Sequence, residues 1–213
     1  MTHDEANALH NPFIRNGKFN FDLQINCTDH DPNCSLLNRA AVALAFPNQA
    51  WIEIVSTVPT INALFIDRPK AKDLSAVTKL ALTNLTMSYP SHVKDWSFLR
   101  DLPSLVRLSL HNTLSLPDLS EISTLSRLEV FQISGGYSKI LRLPSLAPLA
   151  SCERLVAIDL AAVKCADWSL KPLFGLPNLQ RFDCPLDWPI GEVQSLLNQN
   201  KRLSCNVTEY TKR

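Results

Sequence analysis

Residues 176–184 read LPNLQRFDC, residues 102–110 read LPSLVRLSL and residues 58–66 read VPTINALFI. All three follow one template, apolar-x-x-apolar-x-x-apolar-x-apolar. The template sits at Val58, Ile61, Leu64 and Ile66, then at Leu74, Val77, Leu80 and Leu82. It returns at Leu102, Leu105, Leu108 and Leu110, and at Leu125, Leu128, Phe131 and Ile133. The last two occurrences are Cys152, Leu155, Ile158 and Leu160, and Leu176, Leu179, Phe182 and Cys184. Repetition at this interval is the mark of a stacked architecture, in which each unit buries its apolar side against its neighbours.

The pattern extends backwards in steps of three. Leu99, Ile122, Leu149 and Leu173 precede the phrases, and Trp96, Leu119, Leu146 and Leu170 precede those. Immediately ahead stand Asp95, Asp118, Ser145 and Ser169. Asp and Ser are helix-capping residues, because a side-chain oxygen accepts an otherwise unpaired backbone N–H. Each unit therefore reads as a cap, a short helical or 3₁₀ stretch, and a short strand. The change in apolar spacing from three to two marks the switch of element. A bundle of amphipathic helices fits poorly. Spacing of three drifts off a helix face, and Pro59, Pro103 and Pro177 would break a continuing helix.

The phrase L-x-x-L-x-L, with leucines every three residues before it, resembles the leucine-rich repeat. DLSEISTLSRLEVFQI and SLKPLFGLPNLQRFDC are most similar to the short repeats of bacterial internalin-like proteins. The resemblance covers about residues 48–190. It implies an α/β leucine-rich repeat solenoid with a concave parallel sheet, short helical or 3₁₀ segments on the convex side, and caps at both ends. It also implies protein binding on the concave face without catalysis. Positions 64, 80, 108, 131, 158 and 182 are separated by 16, 28, 23, 27 and 24 residues. The second unit thus reads as a short turn followed by an insertion, LTMSYPSHVKDW. The family's Asn or Cys at the turn is replaced by Pro69, Leu85, Thr113, Gly136, Val163 and Asp187. Asn84 and Asn112 stand one residue early as substitutes. Irregular turns are expected, since buried backbone groups must find other partners.

Residues 1–47 read as an N-terminal cap, with a strand in NGKFNFDLQINC and a helix in SLLNRAAVALAF that ends near Pro47. About six irregular repeats fill 48–190. Residues 191–213 read as a C-terminal cap, with a helix in IGEVQSLLNQN, a final strand in KRLSCNVTEY and a frayed TKR.

Offsets from the inward leucines place Phe65, Lys79, Arg107 and His111 on the concave face, followed by Gln132, Asp159, Arg181 and Asp183. Lys79, Arg107 and His111 make a basic zone in the N-terminal half; Asp159, Arg181 and Asp183 lie towards the other end. Aromatic and arginine side chains are common binding anchors, and separated charges favour one orientation of a partner.

With 21 basic and 20 acidic side chains, formal net charge +1, the whole chain does not steer nucleic acid or an anionic membrane. The N-terminus lacks a basic region followed by an apolar one, and no run of 18 apolar residues exists, so a cytoplasmic monomer is expected. Free thiols are expected at Cys27 and Cys34, and inert core thiols at Cys184 and Cys205. The five histidines, at 3, 10, 30, 92 and 111, fall at no catalytic or metal-ligand spacing. DHDPN at 29–33 is not followed by the rest of a calcium loop. The chain therefore reads as a non-enzyme without cofactor or metal, binding another protein as an adaptor or regulator. The alternative is a dedicated inhibitor or immunity protein that blocks a toxin or enzyme.

Overall fold

The computed structural model describes residues 14–15, 18–19, 23–27, 39–136, 139–185 and 187–208. DHDPN, Cys34, His3, His10 and the TKR tail lie outside them. The strands β1 (Ile14–Arg15) and β2 (Lys18–Phe19) form an antiparallel pair. A nine-stranded parallel sheet then runs from β3 (Leu23–Asn26) through β4 (Ala41–Ala45), β5 (Ala63–Asp67), β6 (Asn84–Ser88) and β7 (Arg107–His111). It continues with β8 (Val130–Ser134), β10 (Ala157–Ala161), β12 (Arg181–Pro185) and β13 (Ser204–Thr208). A second parallel pair, β9 (Leu141–Leu143) and β11 (Val163–Cys165), flanks it.

Between strands the chain crosses back through helix α1 (Gln49–Val55) and 3₁₀ turns η1 (Ser75–Lys79), η2 (Ser97–Asp101), η3 (Ser120–Thr124), η4 (Ala147–Ser151) and η5 (Lys171–Leu173). The residues expected to cap, Asp95, Asp118, Ser145 and Ser169, stand one place before the N-caps Trp96, Leu119, Leu146 and Leu170, and they follow one rule that Asp73 shares. Asp73, Asp95 and Asp118 accept the N–H two residues on, at 2.7, 2.9 and 2.8 Å. Ser145 does the same for Ala147 at 3.0 Å, and Ser169 for Lys171 at 3.3 Å. The leucines at spacing three line the interior: Leu99, Leu105, Ile122, Leu128, Leu149 and Leu155 are fully buried. Each such side chain contributes about 1.5–3 kcal/mol relative to exposure.

Two expectations are corrected. The second unit is one residue short and carries no insertion. Its strand is Asn84–Ser88, with Leu64 paired to Leu85 and Leu85 to Leu108. The "insertion" LTMS is the strand itself. The unit lacks one residue between Leu80 and Leu82, so Leu80-Ala81-Leu82 imitates the strand's apolar-x-apolar ending. The register positions Val42, Leu64, Leu85, Leu108, Phe131, Ile158, Phe182 and Cys205 are then 22, 21, 23, 23, 27, 24 and 23 residues apart. Second, residues 41–45 form a strand, where SLLNRAAVALAF was expected to be helical. AVALA has Ala41 to Leu44 all buried, so it shows no alternation, and a continuous apolar run does not separate helix from strand.

The turns vary in detail, and their backbone groups find other partners, as expected. The residue after β4, β5, β6, β7 and β10 is left-handed: Phe46 (φ 57°), Arg68 (46°), Tyr89 (49°), Asn112 (53°) and Ala162 (51°). The N–H of Phe46, Arg68 and Tyr89 donates to the last strand carbonyl of the next unit, at 2.7, 2.8 and 2.9 Å. Thr113 and Gly135 repeat the bond to Ser134 and Ala161 at 2.9 and 2.8 Å. A main-chain ladder thus replaces the side-chain one, and Asn84, a strand residue, has no part in it. At the C-terminal end, helix α2 (Ile190–Gln199) buries Val193 and Leu196, and Glu192 accepts the N–H of Leu170 at 2.8 Å. Trp188 packs edge-on against Trp168 and Phe182 there.

Candidate protein-binding face

The core takes alternate strand residues, so the others form three rows across the sheet's outer face. Strand register sets the middle row as Phe65, Thr86, Ser109, Gln132, Asp159 and Asp183. The row at the strands' N-terminal ends includes Asn84, Arg107, Val130, Ala157 and Arg181. The row at their C-terminal ends includes Asp67, Ser88, His111, Ser134 and Ala161. Seven of the eight residues picked from sequence lie in these rows. Lys79 does not: it ends η1, and its corrected equivalent on the sheet is Asn84, the register partner of Arg107.

The structure brings five of the seven into a polar seam. Arg107 Nη2 and Ser109 Oγ both donate to Gln132 Oε1, the latter at 2.9 Å. Arg181 Nε donates to Asp183 Oδ2 at 2.7 Å, and Arg181 Nη2 reaches the same oxygen. Asp159 completes the seam as the carboxylate that attracts Arg107. This seam is shielded. Arg107 is 2% exposed, Arg181 3% and Asp183 4%. Burial pushes the Arg107 guanidinium down to about 10, and Asp159 opposes that shift. It remains charged at neutral pH, held inside the face rather than offered from it. Access increases towards the strand C-termini, where Asp67, Ser88, His111, Ser134 and Ala161 are all half-buried, as is Phe65 in the middle row. Burial and then the neighbouring Arg107 cation lower the His111 pKa, which keeps its imidazole neutral near pH 7.

Reading by strand offset missed the turn row. Arg68 lies between two rings, its guanidinium carbon 5.6 Å from the Phe46 centroid and 4.6 Å from that of Tyr89, and it pairs with Asp67 at 2.8 Å. The available signal was Phe-Pro, Arg-Pro and Tyr-Pro at 46–47, 68–69 and 89–90, each directly after a strand.

Three of the thiols are held protonated, whereas Cys205, expected to be an inert core thiol, is half-buried and its pKa is lowered by its hydrogen bond with Cys184. Burial raises Cys152 to about 11 and Cys165 to about 12, and the hydrogen bond to Cys205 together with burial raises Cys184. No group of three or more His, Cys, Asp and Glu among the described residues is placed to hold a metal ion.

No protein-family model and no curated protein matches the chain. Solved structures do. Internalin C2 from Listeria monocytogenes aligns over 77% of each chain, at 18% identity and a TM-score of 0.52. The chain carries a leucine-rich repeat fold. Internalin F from the same organism aligns over 81% of this chain and 53% of its own, at 16% identity and a TM-score of 0.54. This leucine-rich repeat chain therefore spans about half of internalin F's length. Among the described residues no helix is long and apolar enough to cross a membrane.

Proposed function

We infer that the protein is a non-catalytic protein-binding module, an adaptor or regulator that engages one partner through the concave side of its sheet. The observation that carries this reading is the graded outer face. A hydrogen-bonded seam of Arg107, Gln132, Arg181 and Asp183 fixes the sheet from outside, and half-buried Phe65 and His111 stand beside it. A surface fixed in advance loses little ordering entropy when a partner docks. The thiols of Cys152 and Cys165 are unbridged, in keeping with a reducing compartment such as the cytoplasm.

The probe must spare the seam, because reversing the charge of Arg107 would unfold the sheet rather than test its surface. The test is affinity capture from host lysate with wild type and a Phe65→Ser, His111→Ala double variant, both checked for folding by circular dichroism. A protein held by wild type and lost by the folded variant supports the concave site. Equal capture by both places binding elsewhere and refutes it.

A further inference from the structure

Charge is distributed unevenly around the solenoid. Each strand of the repeats leads into a loop that ends at the capping residue of the next 3₁₀ turn. After β5 the loop is Arg68-Pro69-Lys70-Ala71-Lys72, and after β6 it carries His92 and Lys94. After β8 the connection carries Lys139 and, on β9, Arg142; after β10 it carries Lys164 on β11. The connections after β5, β6, β7 and β8 hold six Lys or Arg and no Asp or Glu, whereas the one after β10 also carries Asp167. Arg68 and Lys164 pair with Asp67 and Asp187, which stand outside the loops. Lys70, Lys72, Lys94, Lys139 and Arg142 are exposed, with no acidic partner among the described residues. On the opposite flank acids are interspersed with the cations: Arg100 binds both carboxylate oxygens of Glu121 at 2.7 Å, and Arg154 pairs with Glu129 at 3.3 Å.

The same loops expose apolar side chains. Tyr89 is 43% exposed, Leu114 46% and Ile140 38%; Ile190 is the one other large hydrophobic so exposed among the described residues. They belong to the loops after β6, β7 and β8, three successive units. Contacts join those loops into one strip: Ser115 Oγ donates to the Pro90 carbonyl, and Leu114 flanks Gly136. Adjacent units are about 4.8 Å apart, so the strip from Arg68 to Arg142 is about 15 Å long, the reach of roughly five extended residues.

We propose that this basic, apolar rim at the C-terminal ends of the strands docks an acidic segment of another protein that also carries aliphatic side chains. Charge complementarity selects the acids, and Tyr89, Leu114 and Ile140 take the apolar groups. A nucleic acid would satisfy the cations but leave the two aliphatic side chains with nothing to cover them. Its bases would also find the Tyr89 ring already occupied by Arg68 on one side. The rim borders His111, whose carbonyl accepts the Tyr89 N–H at 2.9 Å, but Phe65 lies in the middle row, so the Phe65→Ser variant separates this proposal from the concave-face reading.

The test is fluorescence anisotropy with a labelled twelve-residue peptide of six acids and three leucines, at low and at physiological salt. An all-acid peptide of equal charge and a single-stranded oligonucleotide of the same length serve as competitors. Wild type is expected to bind the mixed peptide saturably. Lys70→Glu with Lys139→Glu should weaken it about tenfold, which is about 1.4 kcal/mol shared between two exposed charge contacts. Leu114→Ser should weaken it about threefold, whereas Phe65→Ser and an off-rim pair, Lys171→Glu with Lys201→Glu, should leave it unchanged. The proposal is overturned by absence of saturable binding at low salt, or by a charge-reversed rim that binds as tightly as wild type. It is also overturned by an all-acid peptide or oligonucleotide that competes better than the mixed peptide.

Discussion

Gly135 begins the turn after β8, and what it needs is room. A Cβ built there would overlap the carbonyl oxygen of Ala162 and lie 2.7 Å from Leu141 N and 2.8 Å from Lys139 O. All three are backbone atoms, so no rotamer change relieves the contact. The chain must move where Gly135 N donates to Ala161 O at 2.8 Å and Leu141 N to Ala162 O at 3.0 Å. Overpacking costs about 1–3 kcal/mol. Weakening two shielded hydrogen bonds adds about 1–3 kcal/mol, and the stiffer unfolded chain returns about 0.4–1 kcal/mol. Gly135→Ala should therefore destabilise by about 3 kcal/mol. For a chain of this size that lowers Tm by about 6–12 °C. Gly136→Ala is the matched control, since its Cβ would meet nothing nearer than Leu114 Cδ1 at 3.5 Å. Thermal and urea unfolding followed by circular dichroism give the comparison. If both variants melt within about 2 °C of each other, the close approach of the two turns is wrong.

Relief of backbone strain should show at Ala162, where a left-handed alanine (φ 51°) costs about 1–2 kcal/mol. Ala162→Gly should stabilise the protein by about 0.5–1 kcal/mol in urea titration, while Ala161→Gly, one residue earlier in the strand, should destabilise it. The corrected register predicts that Leu85→Asp, at a fully buried position, prevents folding, whereas Lys79→Glu leaves Tm within about 2 °C. Soluble expression and melting separate the two readings of that unit. Asp118→Ala removes the acceptor for the Ser120 N–H and hydroxyl and should cost about 0.5–1 kcal/mol in the same titration. His111 supplies a pH signature. Its folded pKa lies below the ordinary 6.5, so the unfolded chain binds the proton more readily. The stability it contributes is complete above pH 6.5 and is lost as pH falls through the lowered folded value. His111→Gln should flatten stability against pH over that window, measured by urea titrations between pH 7.5 and 5.

The stacking was legible because burial imposes the period directly: Trp96, Leu99, Leu102, Leu105 and Leu108 write out the interior of one unit. The caps Asp95, Asp118 and Ser145 were legible for a similar local reason, each serving an N–H two residues away. The place of Asn84 was not, because a one-residue deletion lets Leu80 and Leu82 imitate a strand ending, and only pairing between strands breaks the tie. Offsets could assign Arg107, Gln132 and Arg181 to the outer face, but their shielding arises from neighbours distant in sequence. The basic rim escaped notice because counting outward from leucines ranks strand residues and ignores the loops. Its cations are scattered over loops separated by about 23 residues and meet only once the units stack.

The main-chain ladder at the turns has an evolutionary meaning. Where one asparagine per unit holds such a stack, mutation of that position is constrained. Here amide and carbonyl groups common to every residue type do the holding in the first three turns, so phenylalanine, arginine and tyrosine occupy the same turn position in one molecule, while the turn after β8 keeps its glycine. The edge of the solenoid is thus open to drift and to selection, and a lineage could revise its chemical character unit by unit without rebuilding the stack beneath.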